Sequence, residues 1–437
     1  MNRQSAVESA YGLISGDEDA RVCKDIPEEA CRDQPLNFVA YLLANLVNKI
    51  ADELSSAKLV LPWLLASIGA PAVFTGFLVP IREAGVLLPQ LVVAAVIRRM
   101  PIRKTVWLWG AALSAISLGL MAGVVIGLSG NAAGWAIISL LIVFSLARGL
   151  CSVSAKDVLG KTVSKGRRGV LMGYSAGLAG VVTTGFGFYI QWFSAETATT
   201  TLLVGLLLVS AGLWILALFA FAGIREQPGA TEGGGNALTT ALGSLRLVAT
   251  DVQLRRYILT RILLLSVALA PPFYVLLAQK HTSGGLEGLG MLIIASGVAS
   301  GISAPLWGTL GDRSSRLVMV LASLAAGMLG IAAFFMVETG SWLVTQPLYH
   351  GCLFLGLTVF HSGVRLGRKI YLVDMASVET RATYVAVSNT LIGIAMLFGG
   401  AIGIVADLLD IHHLILLLGL VGLVAATFAW RLPEVSH

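Results

Sequence analysis

Gly308-Thr-Leu-Gly-Asp312-Arg313-Ser-Ser-Arg316 separates two long apolar runs, 288–310 before it and 317–336 after it. Each run can cross a bilayer, because a spanning helix needs about 20 mainly apolar residues. A charged stretch this short between two such runs must be a tight connection at a membrane surface. Charge in the hydrocarbon core costs about 2.5–3.5 kcal/mol per residue on insertion scales. The chain therefore contains at least one pair of membrane helices joined by this turn.

The chain has 437 residues, of which 56% are hydrophobic and 12% charged. A soluble domain carries roughly a quarter charged residues, so this composition belongs in a lipid bilayer. The length allows about twelve spans with their connections. The net charge of +6 does not point to nucleic acid, because the basic residues lie in loops between apolar runs. The four cysteines, Cys23, Cys31, Cys151 and Cys352, show neither zinc spacing nor a disulfide framework.

Working outward, residues 1–35 are polar and acidic, with no basic start before an apolar core. They are expected to be a disordered cytoplasmic tail rather than a cleaved signal. From residue 36 the chain enters the membrane. Hydropathy alone would draw one span over 59–81, leaving 84–97 too short to cross. A turn at Gly69-Ala-Pro71 instead gives helix one up to about Ile68 and helix two over about 72–97. The other ten spans are predicted near 104–128, 133–155, 169–192, 200–223, 257–279, 286–310, 317–337, 342–364, 382–405 and 412–430.

Charge tests this count. One set of connections holds Arg98, Arg99, Arg103, Lys104, Lys161, Lys165, Arg167, Arg168, Arg225, Arg246, Arg255, Arg256, Arg313, Arg316, Arg368, Lys369 and Arg381. The other set holds only Lys280. Both termini are expected in the cytoplasm, at the inner (plasma) membrane of a bacterium, with an even number of spans. The predicted organisation is a tail (1–35), a six-helix half (36–223), a linker (224–256), a second six-helix half (257–431) and a short tail (432–437). The linker is made flexible by Gly229 and Gly233-Gly234-Gly235. Leu238, Leu242 and Leu245 then repeat at helical spacing, predicting an amphipathic helix on the inner membrane face. The halves also match internally, since Lys156, Arg168, Leu178 and Gly180 recur at a constant offset as Lys369, Arg381, Leu391 and Gly393.

The pattern Gly-x-x-x-Asp-Arg-x-x-Arg at 308–316 resembles the inter-helix signature of the major facilitator superfamily. The family places it between helices eight and nine, where it falls here, and in a twin between helices two and three. The resemblance implies twelve helices in two pseudo-symmetric halves and transport by alternating access. It also gives gating roles to Gly308, Asp312, Arg313 and Arg316, with the Asp pairing near a helix end. The first-half copy at 92–99 keeps its basic end but has neither Gly nor Asp. Arg148 resembles the family's fourth-helix arginine, which is associated with proton coupling. Helix five lacks the Pro-Gly-Gly ending that resembles the drug/proton antiporter signature, although Gly169, Gly173 and Gly177 form a small-residue stripe that would permit close helix approach.

Polar residues inside the predicted spans are the candidate site. On helix one Asn45, Asn48, Lys49, Asp52 and Ser56 lie on one stripe at about 100° per residue, with Glu53 bordering it. Either this stripe faces a water-filled cavity, or Lys49 and Glu53 pair at i, i+4 and merely hold helices together. Lys58 falls on the opposite face and is expected to snorkel outward. Helix two carries Arg82 and Glu83, about 100° apart and so suited to different partners, with one of them expected to pair with Asp52, Glu53 or Lys49. Helix four carries Arg148, Ser152 and Lys156, and helix ten carries His361, Arg365 and Lys369. Pro80 and Pro89 should bend helix two, and Pro271-Pro272 should break helix seven. No phosphate-binding loop, zinc motif or nucleophile motif stands out, so neither an enzyme, a cofactor nor a bound metal is expected. The expected partners are a small-molecule solute, a proton or another coupling ion, and the lipid bilayer, with the chain a monomer. Drug efflux, and a non-transporting assembly or lipid-handling role on the same fold, stand as alternatives.

Overall fold

The computed structural model describes residues 8, 11–12, 26, 28–87, 100–193, 199–228, 247–282, 285–377 and 380–435. The predicted linker helix around Leu238, the glycines 229 and 233–235, Pro89 and the first-half loop copy at 92–99 lie outside the described residues.

Every described element is helical. Among the described residues, nine helices are long and apolar enough to cross a membrane by length and composition. They are helices three (Lys104–Gly127), four (Gly130–Thr162), five (Lys165–Phe193), six (Thr199–Ala222), eight (Leu286–Gly311), nine (Ser315–Glu338) and twelve (Ile411–Trp430), with seven and eleven each built from shorter pieces. Three more, interrupted by charges or short, join them in the same bundle: helix one (Gln34–Leu54, then Val60–Ser67), helix two (Ala72–Leu87) and helix ten (Pro347–Met375). The chain is thus an all-α, multi-pass integral membrane protein with twelve helical crossings.

Packing sorts these helices into two groups. In the first, helix three packs on four and six, and helix one on five and six. In the second, helix eight packs on ten, and helix nine on ten and twelve. The groups meet where helix five crosses eight, where helix two crosses eleven, and where the end of helix one meets seven. Small residues set these crossings. A Cβ on Gly187 of helix five would lie 2.8 Å from the backbone nitrogen of Ile294 on helix eight, and one on Gly290 would lie 2.7 Å from that of Gln191. The stripe predicted for this role, Gly169, Gly173 and Gly177, faces open space instead. Spacing alone shows that three glycines share a face, not which neighbour that face meets.

Two boundaries and one cysteine differ from the sequence reading. The tail is not free up to residue 35: Tyr11 is buried against Phe38, and Gln34 donates to its hydroxyl at 2.8 Å. Cys31 is disulfide-bonded, contrary to the expectation from cysteine spacing. Helix seven begins at Val252, inside the predicted linker, because Asp251 caps it by accepting from the amides of Gln253 and Leu254. Tyr384 also donates to Asp251 and holds this carboxyl below its ordinary range. Helix seven is broken where prolines predict, with pieces Leu265–Leu269 and Pro271–His281 meeting at Ala270.

Candidate functional site

Helix one unwinds at 55–59, and the site is built around that break. Ser55 turns its hydroxyl back to the Ala51 carbonyl at 2.7 Å, and the amide of Leu61 finds the Ser56 carbonyl at 2.9 Å. Such side-chain to backbone bonds offer the chain an alternative to the helical ladder. The break resets the helical phase, so Lys58 does not point outward as predicted. Its Nζ lies 3.6 Å from the Glu83 carboxylate on helix two and 3.2 Å from Nε2 of His361 on helix ten.

Just before the break, Asp52 receives two guanidiniums. Arg82 of helix two approaches it at 3.4 Å, and Arg148 of helix four makes a closer contact. Arg148 also lies over the Trp214 ring at 4.7 Å, within an aromatic core that includes the stacked Trp107 and Phe221. Arg82 and Glu83 serve different partners, as their angular separation requires. Glu53, next to Asp52, has no hydrogen bond or ion pair among the described residues, and Lys49 does not pair with it. The predicted i, i+4 clamp therefore does not form.

Lys49, Asp52 and Glu53 line a cavity of 580 Å³ together with Arg365 and Lys369 of helix ten. An adjoining space of 340 Å³ adds Lys58, Arg82, Glu83 and Arg148. Across both, six cationic side chains face three carboxylates. Arg365 is exposed to this space and makes no hydrogen bond or ion pair among the described residues. Asn45 and Asn48 sit lower on helix one, in a third space shared with Lys156. Asn45 donates to Ser175 at 2.7 Å, and the Asn48 carbonyl oxygen is buried without a partner. His361 is buried and touches Lys58 rather than the cavity.

The cavity runs from Asp52 towards Lys369, that is, towards the face with the basic loops. The opposite face is closed by contacts between the two groups of helices. Asp407 of helix eleven accepts from the first amides of helix two, Ala72 at 2.7 Å and Val73 at 2.8 Å. Gln279 of helix seven donates to Ser67 at 2.9 Å. A Cβ on Gly76 would lie 2.5 Å from the Gly400 carbonyl oxygen. Asp407 was not singled out from the sequence; its one signal is a lone carboxylate near the end of an apolar helix.

The stretch 308–316 lies at the open face. Arg316 pairs with Glu434 at 3.2 Å and donates to the Leu432 carbonyl at 3.1 Å. Ser314 caps helix nine. Gly308 faces open space. Asp312 sits at the C-cap of helix eight, and neither it nor Arg313 makes a side-chain hydrogen bond or ion pair among the described residues.

No family model matches the chain, and no curated protein matches it. Solved structures do. The nucleoside transporter NupG superposes with a TM-score of 0.71 at 12% identity, over 90% of this chain and 99% of that one. A D-xylose–proton symporter gives 0.68 at 15% identity, over 91% and 98%. A POT family transporter in complex with 5-aminolevulinic acid gives 0.67 at 12%, over 89% and 94%. The chain has the major facilitator fold. The break in helix one and the charges of helices two, four and ten meet between its two groups of helices.

Proposed function

We propose that this chain is a secondary active transporter that moves a small organic anion or zwitterion across the membrane by alternating access, coupled to protons. The observation that carries the reading is Arg365. Arg82 and Arg148 are already engaged by Asp52, whereas Arg365 presents its guanidinium to the cavity without a partner among the described residues. A guanidinium offers a planar fork that matches a carboxylate or phosphate. The excess of cations over carboxylates disfavours lipophilic cations, and with them the drug-efflux alternative. The named neighbours carry a nucleoside and D-xylose with protons, which supports a small polar solute. Glu53 is the proton carrier in this reading, because Asp52 is bridged by two guanidiniums and Glu53 is not. Both termini are cytoplasmic, in the inner membrane of a bacterium, so this state opens inward. The protein works as a monomer.

The test is competition on purified protein with a panel of organic acids, amino acids, sugars and cationic dyes, followed by uptake in proteoliposomes. Organic acids should compete, and Arg365→Ala should weaken them about 10–100-fold, the worth of one charge-assisted contact. Glu53→Gln should abolish accumulation driven by a pH gradient while leaving exchange intact. A preference for cationic dyes that survives Arg365→Ala would sink the anion reading.

A further inference from the structure

Away from the central site, a cavity of 400 Å³ opens between the start of helix seven and the end of helix twelve, on the face with the basic loops. Three guanidiniums, Arg255, Arg256 and Arg431, line it. Arg255 reaches only the Ala249 carbonyl, at 3.5 Å. Arg256 and Arg431 make no side-chain hydrogen bond or ion pair among the described residues. The carboxylates nearest in sequence are engaged elsewhere: Asp251 by the amides it caps and by Tyr384, Glu434 by Ser314 and Arg316. Three like charges converging without a counter-ion repel one another unless an anion joins them.

The rest of the lining is mainly apolar: Leu432 is buried, Thr260 is buried with its hydroxyl donating to the Arg256 carbonyl, and Leu259 and Phe428 are turned outward. Leu259 is 45% exposed and Phe428 36% exposed, and each lies at the membrane side of an arginine on its own helix. Cations at the surface with an apolar groove continuing into the bilayer repeat the polarity of a phospholipid, headgroup to chain. A free phosphate would use the arginines and leave the groove without a role. Basic pockets between membrane helices on the cytoplasmic side suit acidic headgroups on the same grounds.

We propose that this cavity binds the phosphate of an anionic phospholipid, with an acyl chain lying along Leu259 and Phe428. The lipid ties the first turn of helix seven to the last turn of helix twelve. Only the choice of leaflet rests on the orientation proposed above; the binding itself does not.

The experiment compares full-length protein, without an affinity tag, in nanodiscs of phosphatidylglycerol or phosphatidylcholine, and counts retained lipid by native mass spectrometry. Wild type should retain phosphatidylglycerol and melt at a higher temperature in it. Arg256→Ala with Arg431→Ala should weaken retention about thirtyfold, from the usual contribution of two basic residues at an acidic surface. Lys165→Ala with Arg167→Ala removes the same charge elsewhere on that face and should retain the lipid. Arg365→Ala should retain it too, so failure of the transport reading leaves this result untouched. Equal retention of both lipids, equal loss in the control pair, or full displacement by inorganic phosphate at millimolar concentration would each overturn the proposal.

Discussion

Asp52 is the residue on which the charge network depends, since it alone answers both Arg82 and Arg148. Removing one partner of a largely buried pair leaves the other charge desolvated and uncompensated. Asp52→Asn should therefore destabilise the protein by about 3 kcal/mol, the lower end for such changes because these side chains keep some exposure. Thermal unfolding in detergent measures it, and Asp52→Asn combined with Arg148→Met should recover part of the loss. A melting temperature unchanged by Asp52→Asn would mean that the pair contributes nothing to the fold. At this scale the sequence named the charged residues and put Asp52 among three candidate partners for helix two, but it did not give Arg148 or Lys58 their partners. Lys58 shows why: a projection at 100° per residue presumes an unbroken helix, and five residues of unwound chain turn its side chain from lipid to core.

Elements close the face opposite the basic loops through contacts that admit no extra atoms. Leucine at Gly76 must push against the backbone of Gly400 and Gly403, which is not a flexible side chain that can swing aside. Gly76→Leu should therefore open the crossing of helices two and eleven and raise labelling of a cysteine placed in the cavity by a reagent added from outside. Unchanged labelling would show that the crossing tolerates separation. At the other end of the molecule, Asp251 anchors helix seven. Loss of such a cap costs about 1 kcal/mol, so Asp251→Ala should lower thermal stability by that order at pH 7. The Tyr384 hydroxyl depresses the carboxyl. Its contribution is therefore full above the ordinary carboxylate value of about 3.9 and is lost as pH falls through the lower folded value. The gap between wild type and Asp251→Ala should stay constant from pH 7 to pH 5 and narrow only in stronger acid. These two elements were unequally legible. The Asp251 cap follows a sequence rule, whereas the Gly76 crossing pairs residues more than three hundred positions apart.

For the whole molecule, the question is what holds the face with the basic loops when it closes. In the state observed here, open towards that face, Asp312 has no partner among the described residues, although it ends helix eight where the signature places it. An unpaired carboxylate at that position is suited to a basic group or a helix N-terminus on the opposite half. Asp312→Asn should shift the population towards the state observed here, making cysteines in the cavity more reactive from the inside and less from the outside. If accessibility and transport rate both match wild type, Asp312 plays no part in gating.

The number of membrane crossings, their borders to within a few residues for most, the basic face and the charges that line the central cavity were legible in the sequence; Arg261, buried in helix seven and donating to Ser388 and Asn389, was not. These follow from local properties: the length of an apolar run, the cost of charge in hydrocarbon, and turn and cap residues. Only the tertiary structure decided which charges meet. The pairing of Asp52 with two arginines, the reach of Lys58 to Glu83 and His361, the freedom of Arg365 and the clasp of Asp407 on helix two all join segments distant in the chain. Their geometry is set by where helices cross and where helix one breaks, and neither quantity is written in the periodicity of a single helix.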